Sequence, residues 1–223
     1  MHQRKGKKIF IYLFLLFIVS SISNIGLSKI KFEDIKNIKV SGLNESENIN
    51  ILEDIQNLNL KNIFLLDENK ISKIITSNSL VEKYEIFKKY PSTIYIEIKK
   101  TNFLAKIRNN GKISLVGSNG KLSDLKFSDE DLPFIFGKPE IDEFIKFTYL
   151  IDESKFSLND VENLYYFPSR RWDLKLKNNI ILKLSKDYTQ LSLDQAFDIL
   201  NLENFNDIKI VDARIKNQII LND

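Results

Sequence analysis

A chain of 223 residues with 43% hydrophobic and 28% charged residues has the composition of a folded protein, which argues against wholesale disorder, and its net charge is +3. There is no cysteine, which excludes disulfides, thiolate catalysis and cysteine-ligated metals. The single histidine, His2, lies in the N-terminal tail, so a histidine general base, a catalytic triad and a histidine-ligated zinc are unavailable to the folded body.

Residues 1–8, MHQRKGKK, carry Arg4, Lys5, Lys7 and Lys8 and no acid, and residues 9–28, IFIYLFLLFIVSSISNIGLS, carry no charge. Twenty helical residues reach about 30 Å, the thickness of a bilayer core. The pattern predicts a transmembrane helix over 9–28, with 1–8 as a cytoplasmic tail and the rest exported. The alternative is a cleaved signal peptide with Ser21–Ser23 as its small-x-small site; the long uncharged run and the absence of Ala-x-Ala favour the anchor. Taking the four tail cations from the 33 basic residues leaves 29 against 30 acids, so no basic body remains to bind nucleic acid.

From 32 to 100 the pattern predicts strand, helix, helix, strand, strand. Ile35–Leu43 alternates and ends at the turn residue Gly42. Asn44 is the expected N-cap of a helix with Ile51, Leu52, Ile55 and Leu58 on one face, and Asp67 that of a second with Ile71, Ile74 and Ile75. Two alternating runs around Pro91-Ser92 read as a hairpin. They share a sheet with the first strand, both helices cover one face, and Val81, Ile86, Tyr95, Ile96 and Ile98 are expected to pack on them or line the sheet edges.

From 101 to 223 the chain is richer in strands. Asn110-Gly111 and Asn119-Gly120 are turn signals between strand-like runs. LPFIFGKP reads as a Pro/Gly loop. EIDEFIKFTYLIDES and SLDQAFDILNLENF read as amphipathic helices, the second with Leu193, Ala196, Phe197 and Leu200 on one face. RRWDLKLKNNIILKLS reads as a hairpin turning at Asn178-Asn179. Lys209–Leu221, KIVDARIKNQIIL, reads as one final strand with an uncovered edge, which is an aggregation hazard unless something pairs with it. The fold class is α+β: a transmembrane helix, a β-α-α-β-β module, and a mixed β-sheet domain with two helices.

Candidate chemistry is sparse. Three S-x-x-K matches, Ser28/Lys31, Ser118/Lys121 and Ser123/Lys126, lack the helix start and partner motif that serine–lysine catalysis requires, and chance accounts for them in a Ser- and Lys-rich chain. The acidic runs Asp129–Asp131 and Asp152-Glu153 fit solvated loops and helix ends better than a metal site or a glycosidase pair. No catalytic, cofactor-binding or metal-binding residue is expected. Arg170-Arg171-Trp172 holds the only tryptophan beside two guanidiniums, a composition of interface hot spots as well as of cores, and one arginine is expected to pair with Asp173 or Asp212. Strand alternation sends Arg171 one way and Arg170 with Trp172 the other.

These features occur in an order that resembles the bacterial cell-division family FtsQ/DivIB. IKVSGL (Ile38–Leu43) resembles that family's opening strand and Gly turn, and NIFLLD (Asn62–Asp67) its entry to the second helix. KKYPSTIYIEIKK (Lys88–Lys100) resembles its hairpin, LPFIFG (Leu132–Gly137) its Leu-Pro loop, and RRWDLKL (Arg170–Leu176) and VDAR (Val211–Arg214) its two late signatures. The sequence departs from the pattern at Lys61, where Gly is usual, at Ser79–Val81, which lacks a Pro, at Gly117 in place of Asp, and at Lys99-Lys100 in place of Glu-Arg. The resemblance implies a POTRA-like domain over 32–100 and an FtsQ-type β domain over 101–223. It implies a non-enzymatic scaffold, single-pass in the cell inner membrane and periplasmic in bulk, that works at the division septum. The expected partners are FtsB and FtsL at the β domain and other division proteins at the first module, which links division to septal peptidoglycan synthesis. The expected partner-binding residues are Arg170, Arg171, Trp172, Arg214, Ile215, Asn217 and Ile219, with Val211 and Asp212 anchoring the last strand. The competing classes are a POTRA-containing outer-membrane assembly or transport protein, which needs many more amphipathic strands after the module, and a membrane-anchored cell-wall hydrolase.

Overall fold

The computed structural model describes residues 3–21, 34–127, 131–201 and 208–222. Helix α1 (Gln3–Ser21) takes in the basic tail and the start of the apolar run, and its side chains from Ile9 to Val19 are exposed. No helix among the described residues is long and apolar enough to cross a membrane. The bounds give the reason: α1 carries four cations in its first turns, its uncharged part runs only from Ile9 to Ser21, and 22–28 of the expected span lie outside the described residues.

The first module contains β1 (Asn37–Ser41), α2 (Glu45–Gln56), α3 (Glu68–Ser77), β2 (Val81–Lys89) and β3 (Thr93–Lys100), in the expected order. Strand β3 is central, parallel to β1 and antiparallel to β2. A parallel pair cannot be joined by a tight turn, and the connection from β1 to β3 runs through α2, α3 and β2. Asn44 caps α2 by accepting from the Glu47 N–H, and Asp67 caps α3 by accepting from the Asn69 N–H. Ile51, Ile55, Ile71 and Ile75 of the helices share one core with Ile94, Ile96 and Ile98 of β3. Tyr95 departs from the expected set. Alternation along β3 turns it to the other face, between the ammonium groups of Lys39 and Lys89, 5.7 and 6.0 Å from its ring. At Gly42, φ is +110° and a Cβ would stand 1.7 Å from the Ile98 carbonyl oxygen, so the turn after β1 requires glycine.

The second module builds a sheet from β4 (Phe103–Asn109), β5 (Lys112–Gly117), β6 (Leu122–Asp124), β7 (Phe134–Phe136), β8 (Val161–Tyr166), β9 (Trp172–Leu176), β10 (Ile181–Leu184), β11 (Ile210–Ile215) and β12 (Gln218–Asn222). Among the described residues the spatial order is β12-β11-β10-β9-β8-β7-β4-β5-β6. Helices α4 (Ile141–Glu153) and α5 (Thr189–Leu200) contribute Phe144, Phe147, Ile151, Leu193 and Ala196 to one core with the sheet. Trp172 belongs to that core, stacked on Phe147 with ring centroids 4.7 Å apart and planes 6° apart.

Three expectations need correction. LPFIFG is not a loop: Phe134–Phe136 pairs in parallel with both β4 and β8 in the middle of the sheet. The last helix begins at Thr189, earlier than expected, while 202–205 of its expected end lie outside the described residues. The final run is not one strand but a hairpin, β11 and β12, in which Lys216-Asn217 turns with Asn217 at φ +60°. Asn tolerates this left-handed conformation, and it is what reverses the chain.

The two modules meet in a packed joint. Leu80, Phe103 and Leu115 are buried together. Glu82 Oε2 accepts from Thr101 Oγ1 at 3.0 Å and Ser118 Oγ at 2.8 Å. Asn119 Nδ2 donates to the Ser79 and Val81 carbonyls, each at 2.9 Å. Ser123 Oγ of β6 donates to Ser79 Oγ at 2.8 Å. Gly117 makes room for this network, since a Cβ there would lie 2.6 Å from Asn119 Oδ1 and 2.8 Å from Thr101 Oγ1.

Candidate partner-binding edge and face

The pleat that sends Leu174, Leu182 and Val211 into the core with α4 and α5 sends their neighbours to the opposite face. Strand register lines these up as one row: Phe136, Tyr165, Asp173, Lys183, Asp212 and Ile220. Phe136 and Tyr165 stack at 5.1 Å, and Lys183 stands between two carboxylates. The row ends at β12, where Ile220 is 43% exposed.

Two arginines frame the row. Arg171 donates through Nε and Nη2 to the two oxygens of Asp173, at 3.0 and 3.2 Å. Arg214 makes the same two-pronged contact with Asp212. Such forks fix a guanidinium's plane more tightly than an ammonium contact would. The two carboxylates nevertheless shift in opposite directions. Burial pushes Asp173 above the ordinary 3.8, with the Arg171 fork opposing it. The Arg214 fork holds Asp212 below 3.8, against a smaller effect of burial. Each guanidinium has five donors, so each has N–H groups left for a ligand.

The expected partner-binding residues separate into three groups. Arg171, Asp212 and Arg214 come together on the open face. Ile215, 54% exposed, and Asn217 lie at the β11–β12 turn, and Ile219 lies on β12 with its side chain against the core. Trp172 and Val211 are buried, 7% and 0% exposed. Arg170 does not follow strand alternation: at φ +62° it sits in the turn before β9, its side chain is 70% exposed, and its Nε is 3.6 Å from Glu143. The expected pairing of one arginine with Asp173 or Asp212 is present as Arg171 with Asp173, whereas sequence reading missed Lys183, Tyr165 and Phe136 because only strand register assembles them. It missed β12 as a separate edge because a lone Asn217, which tolerates the left-handed conformation, is the one local sign of the turn.

Strand β12 pairs with β11 on one side, and among the described residues no strand lies on its other side. That side presents backbone donors and acceptors, with Ile220 on one flank and Ile219 and Leu221 on the other. The serine–lysine matches have structural partners: Ser118 and Ser123 bond within the joint, and Lys121 Nζ donates to the Thr76 and Asn78 carbonyls. Lys126 Nζ lies 4.9 Å from the Phe127 ring, while Ser28 and Lys31 lie outside the described residues. Asp131 pairs with Lys177 at 3.0 Å, and Asp129 and Glu130 lie outside the described residues.

Two family models match this chain: the FtsQ-type POTRA domain over residues 34–100, and the C-terminal region of cell division protein FtsQ/DivIB over 105–214. The chain belongs to the FtsQ/DivIB family. FtsQ of Rickettsia typhi is 24% identical over 199 residues, 82% of this chain and 70% of that protein. FtsQ of Agrobacterium fabrum is 25% identical over 191 residues, 81% of this chain and 58% of its own length. DivIB of Clostridium tetani is 25% identical over 190 residues, covering 84% and 64%. The solved extracytoplasmic domain of Geobacillus stearothermophilus DivIB aligns with 47% of this chain and 99% of that one, at 15% identity and a TM-score of 0.33. In FtsQ/DivIB terms, the open edge lies just past the C-terminal family match, which ends at Arg214, and the framed row lies within it except for Ile220.

Proposed function

We propose that this FtsQ/DivIB protein is a non-enzymatic scaffold of the division machinery, anchored in the inner membrane through residues 9–28 and periplasmic beyond them. Its β domain holds FtsB, with FtsL, by adding a strand of the partner to β12. Backbone hydrogen bonds supply most of the attachment, and the row beside β12, framed by Arg171 and Arg214, selects the side chains. Arg170, Ile215 and Asn217 lie on the rim of the contact, and Trp172, Val211, Asp212 and Ile219 hold its floor.

The free side of β12 carries this proposal. An apolar edge strand with one side unpaired is a liability that folds blunt or use, and here the adjacent β11 carries the fixed guanidinium of Arg214, with that of Arg171 further along the row on β9. The exposed apolar face of α1 supports the anchor, because eleven successive exposed residues from Ile9 to Val19 need a nonaqueous surrounding. The test is in cells. A fluorescent fusion of the full chain should gather at midcell, and its depletion should give filaments. Uniform membrane fluorescence with normal division contradicts the proposal.

A further inference from the structure

The end of the first module that lies away from the β domain carries an apolar tip. Asn62 Oδ1 accepts from the N–H groups of Phe64 and Leu65 and bends the chain into a single 3-10 turn. That turn buries Ile63 completely and faces its next two residues outward: Phe64 is 56% exposed and Leu65 82%. Tyr90, in the β2–β3 turn, is 58% exposed, with its ring 5.0 Å from that of Phe64. Three large exposed side chains on two adjoining turns form a patch rather than scattered exposure.

The tip is also where the chain enters the module. Asp34 bridges to Asn62, the Ile35 N–H donates to the Lys61 carbonyl at 2.7 Å, and the Lys36 N–H donates to the Ser92 carbonyl at 2.9 Å. Strands β1 and β3 run in parallel away from this end, and β3 delivers the chain to the joint with the β domain. The proposed span ends at residue 28, so five residues, 29–33, separate it from Asp34. Five residues reach at most about 17 Å. Lys36, Lys61, Lys88 and Lys89 surround the patch, against Asp34, Asp67 and Glu68, and Lys88 pairs with Glu68 at 2.6 Å. The charge balance is close to even, which leaves apolar contact as the main attraction.

We propose that Phe64, Leu65 and Tyr90 rest in the headgroup region of the same bilayer that holds α1, so that the first module is docked on the membrane surface and its joint points the β domain away from it. This rests on the membrane-anchor proposal above. Phe, Leu and Tyr with flanking lysines suit the boundary between acyl chains and headgroups. The short tether keeps this end, and not the joint, at the surface.

The chain has no cysteine, so a single probe can be placed at will. The full chain, carrying an environment-sensitive fluorophore at Leu65→Cys, is reconstituted into phosphatidylethanolamine–phosphatidylglycerol vesicles that contain lipid-borne quenchers. A second sample carries the probe at Lys99→Cys, near the far end of β3. The expected result is strong quenching at position 65 and little at 99, with quenching at 65 falling about tenfold when Phe64 and Tyr90 are both changed to Ser. An unchanged melting curve for that double variant shows that the module still folds. Vesicle flotation separates the two proposals. A chain that floats while position 65 is quenched no more than 99 is anchored but not docked, and overturns the tip assignment alone. A chain that does not float overturns the anchor and the docking with it. Disulfide crosslinking between two copies of the unlabelled Leu65→Cys chain, with no lipid quenching of the labelled one, assigns the tip to a second copy and overturns the membrane contact.

Discussion

Among the described residues the nine-stranded sheet has two edges, and the fold treats them oppositely. At the β6 edge a three-residue strand is tied to the first module by Ser123, Asn119 and Lys121, over a floor of Leu80, Phe103 and Leu115. At the β12 edge a five-residue strand with Ile219, Ile220 and Leu221 has no strand beside it among the described residues. Edges of one sheet share the same backbone chemistry, so the difference lies in what each is placed against. The first edge fixes the orientation of the protein's own modules. The second, among the described residues, is paired by β11 alone.

Breaking the closed edge should have the largest effect. Leu115 is 0% exposed in the joint, and Leu115→Ala should cost about 2–5 kcal/mol in urea unfolding, whereas Ile220→Ala at the open edge should stay within about 0.5 kcal/mol. Equal losses at the two positions would erase the contrast. Next in size is Asn119→Ala, which leaves the Ser79 and Val81 carbonyls without their donor. It should cost about 1–3 kcal/mol and make the connection at Lys100–Asn102 more open to limited proteolysis. At the open edge the sharper probe is Arg214→Lys. It keeps the charge beside Asp212 and removes the fork, so partner affinity should fall about tenfold with little change in melting. Charge reversal at Arg171 is a poor probe of binding, because it sets a second carboxylate beside the buried Asp173.

The smallest effect distinguishes the two forks on the open face. Asp212 has a depressed pKa, so it contributes stability above the ordinary 3.8 that is lost as pH falls through its lower folded value. Asp173 has a raised pKa, so its ionised form costs stability, and that cost shrinks as pH falls below its higher folded value and is gone below the ordinary 3.8. Carboxyl NMR titration should find Asp173 protonating first. The reverse order would mean that the Arg171 fork outweighs burial.

Local rules carried much of the fold. The caps at Asn44 and Asp67, the Gly42 turn and the helix faces follow from side chains within a few residues of each other, and each is visible in sequence. The Phe134–Phe136 strand was hidden because three residues between a proline and a glycine carry no periodicity, and only pairing with β4 and β8 makes them a strand. Tyr95 was grouped with its neighbour Ile96, while alternation with Ile94 and Ile96 assigns it to the other face. At the candidate site the arginines and Asp212 were legible as unusual residues. So was the pairing of an arginine with Asp173 or Asp212, whereas Lys183 was not, since the row joins β9, β10 and β11 across a parallel pairing that no local pattern encodes.

The central claim is that β12 is an open edge used for strand addition, and proline placed singly at each position from Gln218 to Asn222 tests it most directly. Each variant is measured twice, by thermal melting of the protein and by capture of the FtsB-like protein of the same cell. Proline removes one backbone N–H, so positions whose N–H faces β11 should melt early, while positions whose N–H faces outward should melt normally and lose capture. If every proline that stops capture also lowers the melting temperature, or if none stops capture, the edge is structural and the partner binds elsewhere.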